Sequence, residues 1–259
     1  MPDIFDQKAL IHKRNLVAKS KSNQNHFLLE YIFQNITERF DSFSAQFDNI
    51  LLIGVMSEEL VYFLANKAKE KFVICDLSNK LLQNYPQYSK ALIKSEAITT
   101  EHKFDLVYSF LDLHHINNIP RYLTSIKNLL NHDGVFMANF FGEENLKQLR
   151  QIFFDANAKK TSPHFFPYID IKSAAHLLQK TGFKEPISDI DRINITYAKL
   201  SQLCQDIKAI AETNILSKRS NFLINKNFIA QAEAKLLKEK LEFEVQLQII
   251  NVTCYATNQ

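Results

Sequence analysis

Glycine is scarce in this chain, with four residues in 259 where average usage of about 7% would supply about 18. A function resting on several glycine-rich ligand loops has little to draw on. Tryptophan is missing altogether. Cysteine is limited to Cys75, Cys204 and Cys254, odd in number and without a C-x-x-C pair, which argues against structural zinc or a disulfide framework and for a reducing compartment. No apolar run approaches the roughly 20 residues of a spanning helix. Met1 to Leu16 mixes Asp3 and Asp6 with Lys8, Lys13 and Arg14 in place of an apolar leader core, so the expectation is a cytoplasmic protein that neither spans a membrane nor is exported. Strong positive charge is lacking too. A net charge of +3 and a pI near 8.6 fall short of the footprint of a dedicated nucleic-acid binder. DNA is not expected as a partner, and RNA is disfavoured because Lys13, Arg14, Lys19 and Lys21 have no interleaved aromatic before Phe27. That segment reads as a solvated basic arm.

What is there is ordinary globular material, 46% hydrophobic and 23% charged, long enough to bury about three quarters of its unfolded surface. Leu28, Leu29, Ile32, Phe33 and Ile36 have the three-and-four spacing of one buried helix face. Asn49-Ile-Leu-Leu-Ile-Gly54 is a buried strand ending in a turn, with a helix from Ser57 to about Lys69. Phe72-Val-Ile-Cys75, a weak Ala91-Leu-Ile93, Phe104-Asp-Leu-Val-Tyr-Ser109 and Gly134 to Gly142 are the next strands. The last of these follows a helix that has Pro120 in its first turn. Strands alternating with helices at this spacing predict parallel βαβ units and an open doubly wound α/β sheet, with ligands at the carboxyl ends of its strands. Beyond Gly142, helices are expected over 143–158 and 170–180, and strands near Ile187 to Ile195 and Phe243 to Tyr255. A helix from Asn227 to Leu241 reads as a lid or insertion packing on the sheet and not as a membrane-surface helix, because its polar face mixes Glu and Lys.

Gly54 closing strand one, Asp76 closing strand two, Phe104-Asp-Leu-Val107, Leu113-His-His-Ile-Asn117 and Asn128-Leu-Leu-Asn-His-Asp-Gly134-Val together resemble class I S-adenosylmethionine-dependent methyltransferases. More narrowly, Ile4-Phe5-Asp6, Phe140-Phe-Gly142-Glu-Glu-Asn-Leu146, Leu149-Arg150 and Ser162-Pro163-His164 are similar to the complex I assembly-factor methyltransferases, relatives of the biotin-pathway carrier-protein methyltransferase. The resemblance covers nearly the whole chain. It implies a Rossmann-like, seven-stranded, mostly parallel sheet with an antiparallel last strand. It also implies an N-terminal helical arm (1–40), a methyltransferase-like domain (41–259) and a helical insertion at about 196–241.

The resemblance implies S-adenosylmethionine as cofactor, with Gly54, Met56, Asp76, Ser95, Leu113 and His114 at the cofactor positions. Asp76 would accept both ribose hydroxyls; the alternative is that it caps the next helix in Asp-Leu-Ser. Several positions depart from the family pattern. Leu52 stands where the family has an acid, Met56 and Glu58 stand where it has glycines, and Ser95 where an aspartate often faces the adenine. The glycine-rich turn is degenerate, and weak or lost cofactor binding is expected. On the substrate side, Arg150 would pair with an acidic group or merely close a salt bridge, and His164 sits in a rigid proline-flanked loop. His114-His115 invites a metal reading, yet neighbours do not share a face of a helix or strand and no third ligand stands at ligand spacing, so no metal is expected. His114 either lines the pocket or packs. Two functions compete: a methyltransferase-fold protein of the complex I assembly-factor type that acts on a protein such as a complex I subunit, or a catalytically inactive binding module.

Overall fold

The computed structural model describes residues 3–19, 26–41, 46–94, 96–156, 165–219, 226–237 and 242–256. Helices α1 (Gln7–Val17) and α2 (Phe27–Asp41) lead into strand β1 (Phe47–Ile53), and α3 (Glu58–Lys67) connects it to β2 (Ala68–Cys75). Then come α4 (Asn79–Gln83), the short strands β3 (Ser89–Lys90), β4 (Leu92–Lys94) and β5 (Ala97–Thr99), and the central strand β6 (Phe104–Phe110). A 3-10 turn (Leu113–His115) precedes α5 (Ile119–Leu129) and β7 (Leu130–Phe141). The chain continues through α6 (Lys147–Ala156), α7 (Ile171–Lys180), β8 (Phe183–Tyr197), α8 (Leu200–Ala209), α9 (Lys226–Leu237) and β9 (Phe243–Ala256).

Seven strands form one sheet in the order β3-β2-β1-β6-β7-β9-β8, all parallel except β9, which is antiparallel to both neighbours. This is the doubly wound Rossmann-like architecture the sequence pattern predicts. Its centre is built by alternation. Ile50 and Leu52 enter the layer that carries α2 and α3, whereas Leu51 and Ile53 enter the layer of α5 and α7, and all four are fully buried. A strand buried on both faces reads as a continuous apolar run for that reason.

Local signals set most boundaries. Asp6, Ser57, Ser78, Asn118 and Asp170 each accept a hydrogen bond from a backbone N–H in the first turn of the helix that follows. Three strand limits differ from expectation. β2 begins at Ala68, immediately after α3, because Ala68 pairs with Phe47. β7 begins at Leu130, where pairing with Phe104 recruits the segment before Gly134. The third sheet strand is Ser89–Lys90, while Leu92–Lys94 pairs with Ala97–Thr99 in a separate hairpin. The far end of the expected helix over 227–241 lies outside the described residues beyond Leu237. No described helix is long and apolar enough to cross a membrane.

The largest departure is at the N-terminus. The basic segment read as solvated is helix α1, and Arg14 on it is 2% exposed. Lys13 is half-buried and Lys19 exposed, whereas Lys21 falls outside the described residues. α1 is clamped from several sides. Phe5 bridges Leu216, the Asp6 N–H donates to the Ile215 carbonyl at 2.8 Å, and Asn117 holds the Phe5 backbone at both its N–H and its carbonyl. Phe5 and Leu10 share a small apolar cluster with Phe166, Ile215 and Leu216.

Candidate functional site

The site lies at the carboxyl edge of the sheet, where β1, β2 and β6 end. Gly54 follows β1 with φ +86°, and a Cβ there would strike the Phe110 carbonyl oxygen. Close approach of two neighbouring strands therefore requires a glycine at this position whatever the ligand. Val55, Met56 and Ser57 behind it are all buried, with Met56 drawn into the α2–α3 layer. Leu52 points into the same layer, so the position where the family carries an acid belongs to the core.

Asp76 follows β2 and has partners on both oxygens. Its Oδ1 accepts from the Ser78 N–H at 2.7 Å, its Oδ2 from the Val55 N–H at 3.2 Å, and the Arg14 guanidinium lies 3.4 Å from Oδ1. The other arm of Arg14 donates to Asp112 at 2.8 Å, and Asp112 also accepts from the Tyr122 hydroxyl at 3.4 Å. These side chains are 0–2% exposed. Burial works against the charge of Arg14, and Asp76 with Asp112 more than offsets it, so its pKa stays above the usual value. Burial also raises the Asp76 carboxyl, with Arg14 and the two N–H donors opposing.

After β6, Leu111 takes φ +47° and its N–H reaches Asn139 on β7. The 3-10 turn then sends Leu113 into the α5–α7 layer and turns both histidines toward the α8–α9 connection. There Glu212 Oε2 sits 3.0 Å from His114 Nε2 and 3.2 Å from His115 Nε2. A tight turn brings neighbouring side chains onto one partner, which helix or strand geometry would forbid, and the carboxylate comes from nearly a hundred residues away in sequence. The expectation that no third ligand-type residue joins the pair is corrected by Glu212. Burial pushes His115 down to about 4, with Glu212 opposing, so the ring is neutral at pH 7. Phe5, Phe141, Phe166 and Tyr168 wall the two rings. The Gln7 amide donates to the His115 carbonyl at 2.9 Å.

Arg150 is half-buried on α6, and its guanidinium donates to the Glu143 carbonyl. Ser95 and His164 lie outside the described residues. The structure therefore brings Gly54, Met56, Asp76, Leu113 and His114 to one edge, and adds Arg14, Asp112, His115 and Glu212. Arg14 had a signal in the sequence: Leu10, Arg14 and Val17 fall on one helical stripe, and all three are buried. Glu212 had none. A separate cavity of about 380 Å³ opens at the opposite, amino edge beside Asp48, Asp105 and Asp133, away from these residues.

A fold of this type implies S-adenosylmethionine at the carboxyl edge. In this arrangement the carboxylate placed for its ribose is buried and already partnered. Asp76 Oδ1 accepts from Ser78 and meets Arg14 while Oδ2 accepts one hydrogen bond from Val55, and the buried guanidinium lies between Asp76 and Asp112.

Comparison with known proteins places the architecture among relatives. The family model for a methyltransferase domain matches residues 22–185. The Rickettsia prowazekii protein RP459, named for a methyltransferase, is 34% identical over 209 residues, 78% of this chain and 90% of that protein. The human mitochondrial arginine-hydroxylase NDUFAF5 is 28% identical over 239 residues, covering 89% of this chain and 69% of that one. A malonyl-[acyl-carrier protein] O-methyltransferase of Xylella fastidiosa is 26% identical over 227 residues, 84% of this chain and 76% of that one. Among solved structures, a methyltransferase-named protein of Bacillus halodurans aligns with TM-score 0.61 at 11% identity, covering 87% of this chain and all of that one.

Proposed function

Because the chain belongs to the methyltransferase-domain family, we propose that it is an assembly-factor-type member that acts on a protein partner at the carboxyl edge of its sheet. The partner class is a respiratory complex I subunit, and S-adenosylmethionine is only weakly held. Similarity to arginine-hydroxylases over 89% of the chain supports a protein-directed role, with an arginine side chain of the partner as the group we propose is presented to the edge.

The observation that carries the reading is the state of Asp76. A ribose seated there must share a fully buried carboxylate with Arg14 and two backbone N–H donors, and reaching both oxygens loosens the Arg14 pair. Removing one partner of a buried ion pair outright costs on the order of 3–5 kcal/mol, so loosening it costs up to about two to three and a half decades of affinity at about 1.4 kcal/mol each. Leu52 in the core supplies no charge-assisted hydrogen bond to an ammonium.

Titration calorimetry with S-adenosylhomocysteine is expected to give a dissociation constant above the micromolar range. Sub-micromolar binding by the unaltered protein would overturn this part and make methyl transfer the leading activity. For the partner, crosslinking of the tagged chain in its own cells is expected to enrich complex I subunits, and loss of the gene to reduce assembled complex I on native gels. Unchanged assembly would refute the protein-directed role. A second reading, a binding module without transfer chemistry, is favoured by the same closure at Asp76. Mass spectrometry separates the two, since only an enzyme leaves the partner's arginine chemically altered.

A further inference from the structure

We propose that His114, His115 and Glu212 form a binding site for a divalent first-row transition ion. The three offer ligand atoms that all lie within 4.8 Å of one another, and the side chains are 0%, 1% and 7% exposed.

The spacing suits coordination. With metal–ligand bonds of about 2.1 Å, adjacent corners of an octahedron stand about 3.0 Å apart. The Nε2 atoms of His114 and His115 stand 3.0 and 3.2 Å from the same Glu212 oxygen. Hydrogen bonding within the protein accounts for only part of this geometry. His114 Nε2 makes a hydrogen bond with the carboxylate. His115 Nε2 lies nearly as close to the same oxygen, at 3.2 Å but outside good hydrogen-bond alignment, and its Nδ1 has no hydrogen-bond partner. One carboxylate oxygen thus faces two buried imidazole nitrogens at once, and a single proton between them serves only one of the two contacts, whereas a cation would engage all three ligand atoms.

The surroundings support a cation. Three carboxylates, Asp76, Asp112 and Glu212, act on the buried guanidinium of Arg14, and Glu212 also acts on Lys13, so the surroundings of the two imidazoles are rich in negative charge. The walls are aromatic: Phe5 and Phe166 lie edge-on to His115, and Phe141 lies edge-on to His114. They hold the rings in position and keep them from other partners. Two imidazoles and one carboxylate without a thiolate are the facial set that leaves positions open and suits iron(II), with cobalt(II) as a spectroscopic stand-in. Glu212 is fixed for the purpose by the left-handed Ala211 before it, at φ +61°, and by its own N–H to the Ile207 carbonyl. The proposal concerns metal binding alone and does not depend on the acceptor or on S-adenosylmethionine.

The test uses the full-length protein stripped with a chelator and titrated with cobalt(II), and with iron(II) under anaerobic conditions. Expected are one equivalent bound and visible ligand-field bands without the charge-transfer band of a thiolate. Glu212→Gln keeps the shape and removes the ligand charge, and is expected to weaken cobalt more than about tenfold, at least the loss typical of disturbing a ligand's supporting partner. Cys204→Ser, which alters an exposed thiol, is expected to change nothing. If a variant fails to fold, the spectrum of the unaltered protein decides. Absence of saturable cobalt and iron binding, a thiolate charge-transfer band, or unchanged affinity in folded Glu212→Gln would each overturn the proposal.

Discussion

At the residue scale, the structure changes what two residues mean. Gly54 stands where cofactor approach calls for a glycine, but the Phe110 carbonyl already forbids a side chain there, so its presence is no sign of a ligand. Arg14 is the opposite case, an apparently ordinary surface arginine that the tertiary structure places between two buried carboxylates. Breaking a buried ion pair from one side leaves uncompensated charge, and costs about 3–5 kcal/mol, far more than the pair itself contributes. Arg14→Met is therefore expected to lower unfolding free energy by roughly that amount in urea titrations, and Asp112→Asn added to it to recover a substantial part. A loss below about 1 kcal/mol, the level of an exposed pair, would show that Arg14 is solvated in solution. In the sequence Leu10, Arg14 and Val17 shared a face, yet periodicity treats a charged residue on an apolar stripe as an interruption. Only the approach of β2 and β6 supplies its partners.

At the scale of elements, α1 is the piece whose role pattern reading underestimated. Its helical character was legible as part of the N-terminal helical arm, and the structure adds the Asp6 cap, but its docking depends on contacts more than a hundred residues away. One of those contacts gives a measurable pH dependence. Lys13 donates to the Asn214 carbonyl at 2.6 Å, and burial, aided by Arg219 and opposed by Glu212, lowers its pKa to about 8. In the unfolded chain it titrates near 10.4. Between about pH 8 and about pH 10 the unfolded state therefore holds more protons than the folded one, and this group makes stability rise with pH. The difference in unfolding free energy between the unaltered protein and Lys13→Met is expected to shift in favour of the unaltered protein across that window. A constant difference would mean that Lys13 is as solvated in the folded protein as in the unfolded one. The other elements were easier to read. β1, β2 and β6 carry unbroken apolar runs because they are buried on both faces, and α5 shows its proline start. The limits at Ala68 and Leu130 were not readable, since a neighbouring strand decides how far a strand extends.

At the scale of the whole molecule, the described residues after β8 reach both the histidine turn and α1, through Glu212 and through Ile215 to Ser217. Tyr197 donates to Asp206 at 2.8 Å, Asp206 meets His26, and the Ser217 N–H donates to the Ile4 carbonyl at 2.8 Å. Leu203 of α8 is fully buried in the main core. This segment and α1 are expected to open as one cooperative unit. Leu203→Ala, a cavity costing on the order of 2–5 kcal/mol, is then expected to speed hydrogen exchange in α1 as well as in α8. Exchange that rises in α8 alone would separate the two. The sheet was determined by the sequence itself: the alternating elements and the doubly buried runs admit few other arrangements, because connections are short and crossovers keep one hand. The resemblance of local motifs reached the family by the same route. The site was decided only by tertiary structure. A guanidinium from residue 14, carboxylates from residues 76, 112 and 212, and two imidazoles from one tight turn meet at the carboxyl edge. Electrostatic and hydrogen-bonding partners are chosen by distance in space, and a chain carries no local mark of which distant residue will arrive beside it.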